Sequence, residues 1–168
     1  QCFDFAYEKT IGQGRAVFRS GTTLMHIVLS AAGTWGSSTT SSYLAGTSGA
    51  TVYWVKLATN PLAGSNVIVA GLLDSADDLT MVNWTGSTWS STKQTSEASV
   101  GTLHQGTSQT RAFDMAYQQD GKLLVVYGES TVNAPRFRLH SPGVVWNATE
   151  SSLPQVDVPV SWMSLANK

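Results

Sequence analysis

The sequence predicts an all-β fold made of antiparallel four-stranded repeat units. A short strand pattern that ends on an alanine recurs four times, at Ala6, Ala58, Ala116 and Ala166. Apolar runs and glycine-containing turns follow the first three copies in the same order. No segment combines the apolar spacing of an amphipathic helix with a capping residue, so helix is not expected.

The first strand of each unit leads into its anchor alanine. Large apolar residues stand one and three positions before the alanine, and a polar residue stands between them, as in Phe3-Asp4-Phe5-Ala6. This period of two is typical of a strand with one buried face. The equivalent stretches are Trp54–Ala58, Ala112–Ala116 and Trp162–Ala166.

Two more strands follow in each complete unit. The second strands are predicted at Arg15–Arg19, Asn66–Leu73 and Lys122–Tyr127. The third strands are predicted at Leu24–Leu29, Leu79–Trp84 and Arg136–His140. Asp120-Gly121 is a strong hairpin signal because glycine accepts the positive φ of a tight turn. Continuous aliphatic runs such as Val67–Val69 indicate strands that are covered on both faces.

Each third strand ends in a glycine turn followed by a tryptophan, and a Ser/Thr-rich segment then leads to a weak fourth strand. A unit is therefore about 50–60 residues long, with bounds near 1–50, 51–108 and 109–158, and a partial unit at 159–168. Alternate copies match best, since Asp4 and Tyr7 correspond to Asp114 and Tyr117. The true period is a pair of units.

Four short antiparallel strands per repeat are the pattern of a β-propeller blade. The sequence thus predicts three blade-like units and the first strand of a fourth, and the alternative is an open β-solenoid or β-sandwich array. A propeller closes with at least about four blades. We therefore expect either a fragment of a longer chain with flanking repeats, or copies that complete one another.

Composition favours an extracellular or cell-surface protein. Charged residues make up 12% of the 168 residues, against about 25% in typical domains, and Ser and Thr supply about a quarter. The net charge is −1 and the basic residues are scattered, so nucleic acid is not an expected partner. No run approaches the ~20 apolar residues that span a bilayer, so membrane insertion is not expected.

The phrases FDFAYE, FDMAYQ, WVKLATNP and WTGSTWSS resemble repeats of large secreted or surface-anchored microbial β-propeller proteins. The Gly-x-x-Trp turns resemble those of propeller lectins of the fucose-binding and tectonin types, and loosely the Asp-box hairpin of sialidases. The resemblance spans nearly the whole chain and implies a propeller fold with glycan binding as one function. SAAGTW has alanine where the Asp-box has aspartate, so sialidase chemistry is not implied.

Tryptophans after the turns are the candidate ligand-binding residues, because an indole face packs against the C–H face of a sugar. These are Trp35, Trp89 and Trp146. The competing interpretation is that each one closes its hairpin onto the sheet as a core residue. Asn83 and Asn147 each begin an N-glycosylation triplet, and Asn147 is the better placed of the two.

The candidate assembly strand comprises Trp162, Met163, Ser164, Leu165 and Ala166. An unpaired strand with apolar alternation favours association, so we expect it to complete a sheet of another copy.

No catalytic, metal or cofactor site is expected. The acids Asp74, Asp77 and Asp78 lack the glycine and distal glutamate of a calcium loop and are interpreted as a solvated turn. Asp4 and Asp114 are expected to bond to neighbouring backbone. The three histidines, His26, His104 and His140, lack metal-ligand spacing. Cys2, the single cysteine, is expected to be a small buried apolar residue.

The favoured function is a non-catalytic structural or adhesive module that self-assembles into oligomers or filaments. The alternative is a carbohydrate-binding propeller. Hydrolase activity is the weakest hypothesis, because no acid is paired with a base in a recognisable motif.

Overall fold

A computed structural model describes residues 2–21, 23–42, 44–45, 50–90, 111–129, 132–141, 149–158, 160 and 162–166, and the backbone of 94–97. All regular structure in these ranges is β, in twelve strands. The all-β prediction is therefore confirmed. Across the same ranges no helix is long and apolar enough to cross a membrane.

The strands form three antiparallel four-stranded sheets, each a meander in chain order. Sheet 1 contains β1 (Phe3–Tyr7), β2 (Gly14–Ser20), β3 (Thr23–Leu29) and β4 (Thr39–Thr40). Sheet 2 contains β5 (Val52–Thr59), β6 (Ile68–Asp74), β7 (Leu79–Trp84) and β8 (Gln94–Glu97). Sheet 3 contains β9 (Phe113–Tyr117), β10 (Leu123–Glu129), β11 (Val132–His140) and β12 (Ser151–Ser152). The four-stranded unit predicted from the repeats is confirmed in all three cases.

Several predicted boundaries differ from the structure, most of all in sheet 3, whose third strand begins at Val132 and not at Arg136. The second strand of sheet 2 begins at Ile68 and not at Asn66. Asn66 belongs to the preceding turn, where its side-chain oxygen accepts a hydrogen bond from the backbone amide of Thr10 at 3.1 Å. A side chain that binds a neighbouring turn competes with strand pairing, which explains the later start.

Sheet 2 lies between the other two sheets. Every residue of β6 is buried, and its side chains alternate between two apolar cores. Ile68, Ala70 and Leu72 belong to the core shared with sheet 1. Val69 and Leu73 belong to the core shared with sheet 3. The prediction that this run is covered on both faces is confirmed.

Gly71 sets how closely sheets 2 and 3 approach. A β-carbon at this position would stand 2.9 Å from the Phe113 ring and 3.2 Å from the sulfur of Met115. The close contact therefore needs a residue without a side chain. It brings β6 directly against β9.

The first strands of the sheets lie side by side and run in the same direction. At one end, the Cys2 thiol donates to the carbonyl of Val52 at 3.3 Å. At the other end, the Thr59 hydroxyl donates to the carbonyl of Tyr7 at 2.7 Å. A parallel bridge between Arg111 and Trp162 continues the pattern beside β9. The anchor alanines therefore occupy equivalent places in successive strands.

Candidate functional site

Asp4 and Asp114 join the first strand of one sheet to the next such strand along the chain. Oδ2 of Asp4 accepts the backbone amide of Leu57 at 2.7 Å. Oδ2 of Asp114 accepts the backbone amide of Leu165, also at 2.7 Å. The Oδ1 atoms accept the amides of Phe5 and Met115, each at 2.9 Å. The expected bonding of these aspartates to neighbouring backbone is confirmed.

Two cations balance these carboxylates. Lys56 replaces aspartate at the equivalent position of β5, and its Nζ lies 3.9 Å from Asp4 Oδ2 and 3.7 Å from Asp114 Oδ1. Arg111 Nη2 lies 2.6 Å from Asp114 Oδ1. Asp114 is buried while Asp4 is partly exposed. Each carboxylate is thus committed to backbone amides and a cation, an arrangement suited to joining strands.

The segment Trp162–Ala166 lies along β9 much as β5 lies along β1. The Met163 amide donates to the carbonyl of Arg111 at 3.0 Å, and the Leu165 amide donates to Asp114. The side chain of Met163 is buried, whereas Ser164 and Ala166 are exposed. Trp162 is 58% exposed; its ring contacts Trp54 edge to face at a centroid distance of 6.1 Å and lies 5.9 Å from the Arg111 guanidinium.

All four alanine-centred stretches line one cavity. Its volume is about 350 Å³, and its walls include Tyr7, Thr59, Tyr117 and Leu165. Residues from four different parts of the chain therefore line the same cavity.

Sheet 1 has an outer face that no other part of the described chain covers. The ladder of β1, β2 and β3 places Phe5, Ala16 and Ile27 side by side, with Phe3, Phe18 and Met25 next to them. Phe3 is 55% exposed and Tyr7 is 54% exposed. Trp35 extends this surface, with its ring 5.9 Å from that of Phe5. We call this surface the outer face of sheet 1.

The corresponding residues of sheet 3 are buried. Phe113, Met115 and Tyr117 occupy the positions of Phe3, Phe5 and Tyr7, and they pack in the core between sheets 2 and 3. Nearly identical sequences, FDFAY and FDMAY, are thus exposed in one sheet and buried in the other. The difference lies in the neighbouring sheet and not in the strand.

The candidate tryptophans differ in environment. Trp35 is 50% exposed and offers part of its ring to solvent. Trp89 is 2% exposed, packed against Trp84 with a centroid distance of 5.6 Å, so it offers no ring face for stacking. Trp146 lies outside the described residues.

The two glycosylation candidates are placed unequally. Asn83 stands in β7, paired with Val69, and its side-chain oxygen is buried. Asn147 lies outside the described residues. Of the histidines, His104 also lies outside them.

Asp74 and Cys2 are buried to a different degree than the sequence suggested. Asp74 is fully buried and accepts the amides of Ala76 and Asp78 at 2.9 and 3.2 Å, so the turn is not a solvated one at this residue. Cys2 is half-buried, and burial raises the pKa of its thiol. Among the described residues no group of three or more His, Cys, Asp or Glu could hold a metal ion.

A buried ion pair between sheets 1 and 2 was missed by sequence reasoning. Arg15 Nε lies 2.7 Å from Glu8 Oε1, and both side chains are almost fully buried. The Arg15 guanidinium lies 3.4 Å above the ring of Trp84, a cation–π contact. The signal was present, since the two charges lie on either side of the β1–β2 turn, where a hairpin brings them together.

His26 lies beside this pair. Its Nε2 is 2.9 Å from the Thr39 hydroxyl, and its ring is 6.0 Å from that of Trp89. Burial, and secondarily the positive charge of Arg15, lower the pKa of His26. Burial also lowers the pKa of His140.

No protein-family model matches the chain, and no curated protein matches it at a significant level. The site is therefore interpreted from its own geometry.

We predict that Asp114→Ala lowers the free energy of unfolding by about 3–5 kcal/mol, because it leaves Arg111 and two amides without their acceptor in a buried place. Asp4→Ala serves as the matched variant and should cost only about 1–2 kcal/mol, since Asp4 is partly exposed. Urea unfolding followed by tryptophan fluorescence measures both. Equal losses for the two variants would contradict the argument from burial.

We also predict that stability falls as the pH drops below about 6.5, the ordinary histidine value. Because the folded pKa values of His26 and His140 are lowered, the unfolded chain binds more protons in this range, and the loss levels off below the folded pKa values. Urea midpoints between about pH 7.5 and 5.5 test this. The double variant His26→Gln, His140→Gln should show a flatter profile, and a midpoint that rises on acidification would refute the prediction.

Proposed function

We propose that this chain is a non-catalytic structural or adhesive module, secreted or at the cell surface, that self-associates. Its sheets are arranged as successive blades of a β-propeller. The support for blades is the set of parallel first strands around one cavity, with each sheet packed face to face on the next. The hydroxyl-rich, weakly charged composition supports the location.

The segment Trp162–Ala166 carries the proposal of self-association. Its Met163 and Leu165 amides point toward β9, so the amide of Ser164 points to the opposite edge, because successive amides of an extended strand alternate in direction. The corresponding edge of β5 pairs with β6 in sheet 2, and that of β9 pairs with β10 in sheet 3. A strand from another copy can pair there by strand addition.

The acidic side chains already bind other groups of the protein, which supports a non-catalytic role. Asp4 and Asp114 hold backbone amides, and Glu8 is tied to Arg15. A general acid or base needs an atom free to exchange a proton with substrate. These acids instead join one strand or sheet to another.

We predict that the chain associates in a concentration-dependent manner and that Ser164→Pro abolishes this association. Proline removes the amide that pairs with an incoming strand and leaves the Met163 and Leu165 bonds in place. Ser164→Ala keeps the amide and is the matched control. Sedimentation velocity over a range of concentrations measures the effect. A chain that stays monomeric throughout, or a proline variant that associates like the alanine variant, rejects strand addition.

Glycan binding is the second candidate, and the exposure of Trp35 favours it. The half-exposed indole stands beside Phe5 and Tyr7, whose rings pack edge to face at 4.8 Å. Such a grouping offers an aromatic platform with a polar tip. It shares the outer face of sheet 1, so a sugar and a protein partner would compete for it.

A glycan array followed by calorimetry tests this candidate. If Trp35 stacks on a sugar, Trp35→Ala should weaken binding of the best glycan by about tenfold or more. Trp162→Ala removes a similarly exposed tryptophan elsewhere and should leave binding unchanged. The candidate is rejected if no glycan binds or if the two variants behave alike.

A further inference from the structure

We propose that the outer face of sheet 1 binds a second copy of the chain, through the exposed side of that copy's Trp162–Ala166 segment. The contact would place Trp162, Ser164 and Ala166 of one copy against Phe3, Phe5 and Tyr7 of the other. The inference rests on the proposed self-association and deepens it by naming the two faces that meet.

A contact of the proposed kind already exists between sheets 2 and 3. There Phe113, Met115 and Tyr117 share a core with Trp54 and Ala58. Phe3, Phe5 and Tyr7 repeat the first of these surfaces in sequence and in strand position. A surface with this sequence therefore has a known complement within the molecule.

The segment Trp162–Ala166 repeats the complementary surface, which Trp54 and Ala58 form in sheet 2. Trp162 and Ala166 stand at the positions of Trp54 and Ala58, and in both stretches a polar residue stands two positions before the alanine. Met163 is buried toward β9, so the opposite side of the extended segment faces away from sheet 3. Trp162, Ser164 and Ala166 are all exposed on that side.

The outer face of sheet 1 and the Trp162–Ala166 segment are supplied by different copies of the chain. Phe3, Tyr7 and Trp162 are all more than half exposed in one chain, so the two surfaces do not cover each other within it. A second copy brings both surfaces in the correct orientation. Charge does not oppose the contact, because uncharged Ser164 takes the place of Lys56 and the outer face of sheet 1 carries no charged side chain.

The two surfaces are different, so the contact is heterologous. Each copy that offers one surface to a neighbour leaves its other surface free for the next copy. Such a contact produces a closed ring or an open filament, depending on the rotation between copies. A ring of two copies uses both contacts reciprocally about a two-fold axis, whereas a dimer that paired like surfaces would place two outer faces of sheet 1 against each other.

Disulfide trapping tests the pairing directly. Phe3→Cys and Ser164→Cys are made separately in a Cys2→Ser background, with tags of different size, and mixed under mild oxidation. We expect the mixed dimer to dominate over both homodimers. Dominance of the Phe3→Cys homodimer would overturn the pairing, because it would show two outer faces of sheet 1 in contact with each other. A chain that carries both substitutions and closes on itself as a monomer would also overturn it.

A charge substitution provides the second measurement. The double variant Phe3→Lys, Tyr7→Lys should weaken association by about 30-fold, as expected for loss of interface aromatic anchors. Leu153→Lys, at an exposed apolar residue after β12, is the control and should associate as the original chain does. If the chain associates with Ser164→Pro sensitivity but the double variant is unaffected, this face pairing fails while strand addition stands. A monomeric chain removes both.

Discussion

The architecture depends on a carboxylate that reaches from one first strand to a backbone amide of the next. β5 is an edge strand of its sheet, so the Leu57 amide has no ladder partner on the side that faces β1. A partly buried amide without an acceptor is costly, and an ionised acceptor makes the stronger bond. Asp4 supplies it for Leu57, and Asp114 does so for Leu165. Sheets that pack only through apolar side chains could slide past each other. This hydrogen bond fixes the position of one first strand relative to the next.

The same interaction accounts for the basic residue Lys56 between the two aspartates. An aspartate in every first strand would place several like charges around one narrow cavity, which is unfavourable at short distance. Lys56 stands at the alternate position and lies within 4 Å of both aspartates. Each acid therefore joins its strand to the next one along the chain, and Lys56 together with Arg111 balances the charge of the two acids.

The fold followed from the sequence because the strand pattern is local, whereas the exposure of individual residues was not predictable in that way. Period-two alternation and Asp120-Gly121 require only neighbours in the chain. Trp35 and Trp89 end the same pattern, yet one is half exposed and the other buried. Trp89 lies between sheets 1 and 2, while Trp35 lies on a face that no other sheet of the described residues covers. The partners of a side chain across a sheet interface are a tertiary property. The Glu8–Arg15 pair is different, because its two charges lie in one hairpin, and what the sequence did not indicate is their burial against Trp84 of sheet 2.

The outer face of sheet 1 has the character of an interface. A sheet face that stays in water normally carries charged residues that discourage pairing and aggregation. The ladder that aligns Phe3, Phe5 and Tyr7 with β2 and β3 places aromatic and aliphatic side chains there and no charged one. The charges of β2, Arg15 and Arg19, point to the opposite face instead, toward sheet 2. A large contiguous apolar surface on a chain with few charges elsewhere favours burial against a partner. Since the same surface is already buried once in sheet 3, the packing that would cover it is one that this sequence demonstrably forms.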